Sequence, residues 1–167
     1  MQVIELPMIW TIVADIAVWA LFHLAISYAL YRLPLRLFEK ETALTRIRSL
    51  EQNGRIWQRL SRVRQWKDRL PDGDSVIGRG FPKKRLGNGS KDYLRQFAAE
   101  SRRAEWTHWL LIPPAFLFFL WNPPWAGWVM VAYALAANLP FILIQRFNRP
   151  RLLRLSDRMA IHKEEAP

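Results

Sequence analysis

At 167 residues the chain is the size of one domain, and its 25 Lys and Arg against 14 Asp and Glu give a net charge of +11. Hydrophobic residues make up 51% and aromatics 13%, and apolar and charged residues are segregated into blocks, which argues against an ordinary soluble domain. The lack of cysteine excludes disulfides, thiolate metal ligands and a thioester-forming nucleophile.

Residues 8–30 form an apolar run interrupted only by Asp15 and His23, long enough for a helix to cross about 30 Å of hydrocarbon. No basic n-region or small-residue cleavage site marks it as a signal peptide, so it is expected to stay in the mature protein as a first span. Arg32 and Arg36 follow with Pro34 between them, ending the helix where cations meet phosphate headgroups.

Residues 38–70 place Ile47, Leu50, Trp57 and Leu60 at roughly helical spacing among many arginines, which predicts amphipathic helix in the headgroup plane. Gly54 weakens it, so two shorter helices fit as well as one. Residues 71–91 read as a Gly/Pro-rich loop holding five of the seven glycines; its Gly78-Arg79-Gly80 has no strand before it and is no nucleotide fingerprint.

A helix over 92–121, capped by Asp92, leads into a second span whose arm, about Thr107 to Trp121, is kinked by Pro113 and Pro114. Asn122-Pro123-Pro124-Trp125 turns the chain, and 126–144 forms the third span. A basic tail occupies 145–167. Lys and Arg number 19 in 32–105, six in 145–167 and none in 1–31, which predicts a cytoplasmic middle and tail with the N-terminus outside. The expected fold is therefore an all-α membrane protein of one integral domain, with three transmembrane helices (one plus a helical hairpin) and cytoplasmic interfacial helices.

The most suggestive chemical cluster is Glu100, Glu105 and His108, which helical spacing lets share one broad face. A carboxylate beside an imidazole orients it as a general base, while headgroup anchoring explains the same residues without chemistry. Folding the hairpin at Pro123-Pro124 sets His108 level with Leu139 and its neighbours Asn138 and Pro140. A buried amide at Asn138 needs a hydrogen-bond partner, which His108 or a polar substrate can supply; a purely structural interhelical bond is the alternative. Gln145, Asn148, Arg149 and Arg151 follow the third span, where cationic forks suit a headgroup phosphate, a carboxylate or a coenzyme-A phosphate. Arg103, Trp109 and Trp66 complete the substrate-binding candidates. Asp15 either serves function within the first span or reaches water near its outer end. The three histidines are far apart, so no metal site is expected, and there is no Gly-x-Ser-x-Gly elbow, P-loop or His-Glu-x-x-His helix.

Several segments together resemble the glycosyl-4,4'-diaponeurosporenoate acyltransferase family of bacterial carotenoid biosynthesis. They are Gly54-Arg-Ile-Trp57, Val63-Arg-Gln-Trp66-Lys67, the Asp72-Gly73 turn, Glu100 to Glu105 with His108-Trp109, and Tyr133 to Pro140 through Gln145 to Leu152. The resemblance implies esterification of the glucose 6-hydroxyl of a glycosylated C30 carotenoid acid with a fatty acyl chain, the last step to a staphyloxanthin-like pigment. It supplies the reaction but no residue roles. From the residues themselves we assign His108 as base, oriented by Glu105 or Glu100, and Asn138 or Gln145 as oxyanion donor. Arg149 and Arg151, with Lys83, Lys84 and Arg85, would hold the phosphates of a coenzyme-A donor.

No cofactor is expected beyond the acyl donor as co-substrate. The expected partners are membrane lipid, the glycosyl carotenoid acceptor and the fatty acyl donor, with no nucleic acid. A homodimer or association with other pigment-pathway enzymes is also expected. The competing class is a non-enzymatic membrane scaffold or lipid-binding protein.

Overall fold

The computed structural model describes residues 2–70 and 91–164, with side chains through Met159. The predicted loop, its Gly78-Arg79-Gly80 and the Lys83-Lys84-Arg85 cluster lie outside these residues. Helices are the regular secondary structure of the described residues, with no strand among them.

Helix α1 spans Met8–Arg32 and starts after Pro7, whose extended backbone (ψ 145°) precedes the first turn. It stops at Leu33, which is extended (ψ 139°) because the ring of Pro34 disfavours helical geometry in the residue before it. Only Leu30 in α1 is buried, and its apolar side chains are largely exposed, as lipid-facing residues would be.

The 38–70 region is broken into short pieces. A 3-10 turn, Leu35–Phe38, and the segment Ser49–Gly54, kinked at Gln52 (φ +47°) and Asn53 (φ +56°), precede α2 (Arg55–Ser61), α3 (Val63–Trp66) and a last turn, Lys67–Arg69. Gly54 breaks the chain as its composition suggests, with φ +83°. A Cβ there would lie 3.0 Å from the Arg146 carbonyl oxygen and 3.1 Å from that of Phe147, so glycine permits a close backbone approach as well as the turn. A further break at Arg62 (φ +50°) separates α2 from α3.

Helix α4 (Lys91–Leu110) gives way at Pro113 and Pro114 to a 3-10 helix, Pro113–Leu120. Two consecutive residues without backbone donors cannot continue an α-helical ladder, and the tighter i to i+3 pattern takes over. Helix α5 (Pro124–Glu164) then runs for 41 residues without stopping at Ile144, carrying Pro140 and Pro150 inside it. Among the described residues two helices, α1 and α5, are long and apolar enough to cross a membrane by length and composition. The segment expected as the second span is not a third such helix, because its prolines divide it.

The chain groups into two units, Met1–Pro34 with Glu105–Ile142, and Leu35–Ala104 with Leu143–Pro167. The first has Ala115, Val131 and Ala134 at its core, with Trp19 and Phe119 packed on them. Trp19 stacks on Phe118 at 4.9 Å and meets Tyr133 edge-on at 5.3 Å. Asp15 accepts hydrogen bonds from Trp121 Nε1 and Asn122 Nδ2, each 2.8 Å, so it ties α1 to the hairpin turn rather than merely reaching water. The second unit packs Leu94, Phe97 and Leu152 with Tyr93 and Met159.

Candidate active site

The candidate residues fall into two groups, one in each unit. In the first, α4 supplies Glu105, His108 and Trp109, and α5 supplies Asn138 and Phe141. His108 Nδ1 and Asn138 Oδ1 are 2.9 Å apart, the pairing that folding the hairpin at its prolines anticipates. The Asn138 amide is oriented independently, because its Nδ2 donates to the Ala134 carbonyl at 2.8 Å and a carbonyl can only accept. Oδ1 is therefore the acceptor facing His108, and Nδ1 carries the proton. In the neutral ring this puts the basic lone pair on Nε2.

Phe141 fixes the plane of the ring, stacking on His108 at 4.6 Å and 7° from parallel. Asn138 is 2% exposed and Glu105 fully buried, and Glu105 accepts from Trp109 Nε1 at 3.3 Å. The ring is thus held by an amide on one edge and an aromatic on one face. Such a geometry leaves the ring little orientational freedom to lose.

The second group is differently employed. Both Glu100 oxygens accept from Arg103, at 2.8 and 2.6 Å, in an ion pair one helical turn apart. Arg149 is fully buried and donates to the Thr45 carbonyl, so it tethers the 42–48 segment. Gln145 and Asn148 are half-buried on α5. Arg151 lies 3.5 Å from the centre of the Phe147 ring and donates to the Phe147 carbonyl at 3.1 Å. Burial lowers the Arg151 pKa, and the positive charges of Arg64 and Arg154 lower it further, which marks a spot where an anion would be welcome. Trp66 donates to the Ser61 carbonyl at 2.6 Å, closing α3 back on α2.

Sequence reasoning missed Glu51. It is 6% exposed, sits 3.3 Å from Arg146 Nη1, and also accepts from Trp57 Nε1 (2.8 Å) and the Arg48 amide (3.0 Å). Arg146 in turn donates to the Leu44 and Arg46 carbonyls. The available signal was an acidic residue alone in a basic stretch, six residues before a tryptophan. Among the described residues no group of three or more His, Asp or Glu could hold a metal ion.

The family model for glycosyl-4,4'-diaponeurosporenoate acyltransferase matches residues 34–158. The chain belongs to this family. A glycosyl-4,4'-diaponeurosporenoate acyltransferase of Staphylococcus haemolyticus (strain JCSC1435) is 35% identical over 136 residues, covering 81% of this chain and 79% of its own. Proteins of the same name from Staphylococcus aureus strains bovine RF122 / ET3-1 and USA300 are each 30% identical over 137 residues, covering 82% of both chains. No solved structure matches. The family match begins just after α1 and takes in all eleven candidate residues, from Trp66 to Arg151. Membership in a family of acyltransferases favours an enzyme over the scaffold reading.

Proposed function

We propose that this acyltransferase esterifies the sugar 6-hydroxyl of a glycosylated carotenoid acid with a fatty acyl chain, using His108 as general base. The observation that carries the reading is the His108–Asn138 pair, which leaves Nε2 as the basic nitrogen of a ring clamped by Phe141. Nε2 takes the hydroxyl proton as the sugar oxygen attacks the acyl carbonyl carbon. The tetrahedral intermediate then collapses, the carrier departs with its electron pair, and the imidazolium returns the proton to it. Asn138 acts by fixing the tautomer, because its amide oxygen faces His108 and its nitrogen is taken by the Ala134 carbonyl.

Glu105 and Trp109 support the ring's helix, and Glu100 with Arg103 holds the turn before it. Arg151, with Asn148 on the same helix, marks the region where the donor's anionic carrier would bind. A coenzyme-A thioester satisfies that charge pattern.

Both substrates carry long apolar chains, and a bilayer accommodates them. Basic residues flank the 106–144 region on both sides, so the chain must leave the cytoplasmic face and return to it. Five α-helical residues, 106–110, and the eight-residue 3-10 helix rise together roughly 24 Å, which with the two linking residues approaches the hydrocarbon thickness of about 30 Å. On this reading the Pro113–Leu120 arm is the second of three crossings, the N-terminus lies outside, and 32–105 with the tail is cytoplasmic. The test is acyl transfer by purified protein in nanodiscs, given fatty acyl-coenzyme A and a glucosylated carotenoid acid, with the ester identified by mass spectrometry. An acylated glucoside supports the reading; its absence with folded protein across several acyl donors overturns it.

A further inference from the structure

Within the first unit a groove of about 350 Å³ lies between α1 and α5, lined by Ile12, Asp15, Ile16, Trp19, Met130 and Tyr133, and small-molecule sites typically measure roughly 300–1,000 Å³. It belongs to the same unit as His108. On α5, Tyr133 precedes Asn138 by five residues and Met130 precedes it by eight, so along the helix the groove starts about 7.5 Å from the level of the base and reaches about 12 Å. Ile12, Ile16 and Tyr133 are each more than half exposed, so on the spanning reading the groove opens sideways to the hydrocarbon, from which a long chain can enter.

The groove has little hydrogen bonding to offer an occupant. Trp19 spends its one donor on Met130 Sδ, 3.5 Å away, and the Asp15 carboxylate is engaged with Trp121 and Asn122 at the hairpin turn. A sugar or a phosphate would lose hydration here without return, whereas an apolar chain loses none. A fixed aromatic wall sets the groove apart from the plain lipid-facing surface of α1. Besides its bond to Met130, Trp19 stacks on the fully buried Phe118 and meets Tyr133 edge-on. Walls held in this way suit a rigid, planar conjugated chain, which gives up little conformational freedom on binding, better than a saturated acyl chain, whose rotors must each be frozen.

We propose that this groove receives the polyene of the carotenoid acceptor and so sets the enzyme's choice of aglycone. The proposal rests on the acyl-transfer reading for the identity of the acceptor, and it adds where the apolar part of that acceptor is recognised and by which groups. With the sugar hydroxyl at His108, the attached chain runs along α5 past Tyr133 and Met130 and against the Trp19 ring, and its remaining length lies in lipid. Helix α1 thereby takes part in substrate choice as well as in anchoring.

Fluorine NMR of the full chain carrying 5-fluorotryptophan, in phosphatidylcholine nanodiscs, provides the test; the Trp19 signal is the one of nine that Trp19→Phe removes. A saturating glucosylated carotenoid acid should shift this signal, and the sugar-free carotenoid acid should shift it too, because the polyene is what the groove holds. Octyl glucoside and palmitoyl-coenzyme A should leave it in place. An equal shift with palmitoyl-coenzyme A would overturn the proposal, since the groove would then take any apolar chain. So would an unmoved Trp19 signal while acyl transfer proceeds, which leaves the enzyme reading intact. A shift without transfer would uphold the groove and count against the transfer reading. Ile16→Phe, at a position 66% exposed, narrows the groove without disturbing the core. It should raise the Kd read from the Trp19 shift several-fold, and an unchanged Kd would contradict the placement.

Discussion

His108 Nδ1 lies 2.9 Å from the amide oxygen of Asn138, thirty residues further along the chain, and the Asn138 nitrogen is occupied by the Ala134 carbonyl. That second bond makes the first one informative. Without it the amide could be turned either way, and the position of the imidazole proton would be undetermined.

Asn138→Leu removes the acceptor at Nδ1 with little change in volume, so the ring can exchange tautomers. We expect kcat to fall while the KM values of donor and acceptor stay near wild type, since Asn138 is assigned no substrate contact. Histidine ¹⁵N NMR provides the direct readout, showing the Nδ1-protonated tautomer in the wild type and a mixture in the variant.

Glu51 and Arg146 form a nearly buried ion pair, with side chains 8% and 10% exposed. Glu51→Ala takes the carboxylate away from the nearly buried Arg146 and deprives Trp57 Nε1 of its acceptor, and breaking such a pair costs about 3–5 kcal/mol. Glu51→Gln, which keeps an acceptor for the indole, should lose less. Thermal unfolding in detergent ranks the two; equal stability of both with wild type would contradict the structural role.

Gly54→Ala must adopt φ +83° and fit a methyl 3.0 Å from the Arg146 carbonyl oxygen. The left-handed conformation alone costs roughly 1–2 kcal/mol, so this single methyl group should lower the unfolding temperature measurably. A serine at position 61, by contrast, is an ordinary helical residue, and Ser61→Ala should cost at most the bond it donates to the Trp57 carbonyl, roughly 0.5–1.5 kcal/mol.

Arg151 shares its surroundings with Arg64 and Arg154. If these guanidiniums hold an anionic carrier, Arg151→Ala raises the KM for acyl-coenzyme A several-fold, leaves that for the acceptor unchanged, and weakens the salt dependence of the donor KM. Initial-rate measurements at two ionic strengths test this.

Much of this molecule is legible in its sequence for identifiable reasons. Length and hydrophobicity interrupted only at Asp15 and His23 give α1, and the paired prolines announce where α4 must stop. The hairpin register follows from the turn at Pro123-Pro124, which is why the His108–Asn138 contact could be anticipated. Other features depend on partners distant in the chain. Glu51 meets Arg146 across 95 residues, and Asp15 meets Trp121 across 106; nothing local to either acid announces its partner. The break at Arg62 is equally silent, because an arginine in the left-handed region carries none of the signals that glycine does at position 54. Arg149 looked like a phosphate ligand because charge is visible in a sequence, whereas its burial against Thr45 is not.

The central claim is best tested by ester formation in His108→Ala, purified in nanodiscs beside the wild type and given the same acyl-coenzyme A and glucosylated carotenoid acid. Loss of the base predicts a fall of about 10²–10⁴-fold in kcat, with circular dichroism and unfolding temperature showing the variant folded. Wild-type turnover by the folded His108→Ala protein would contradict the account.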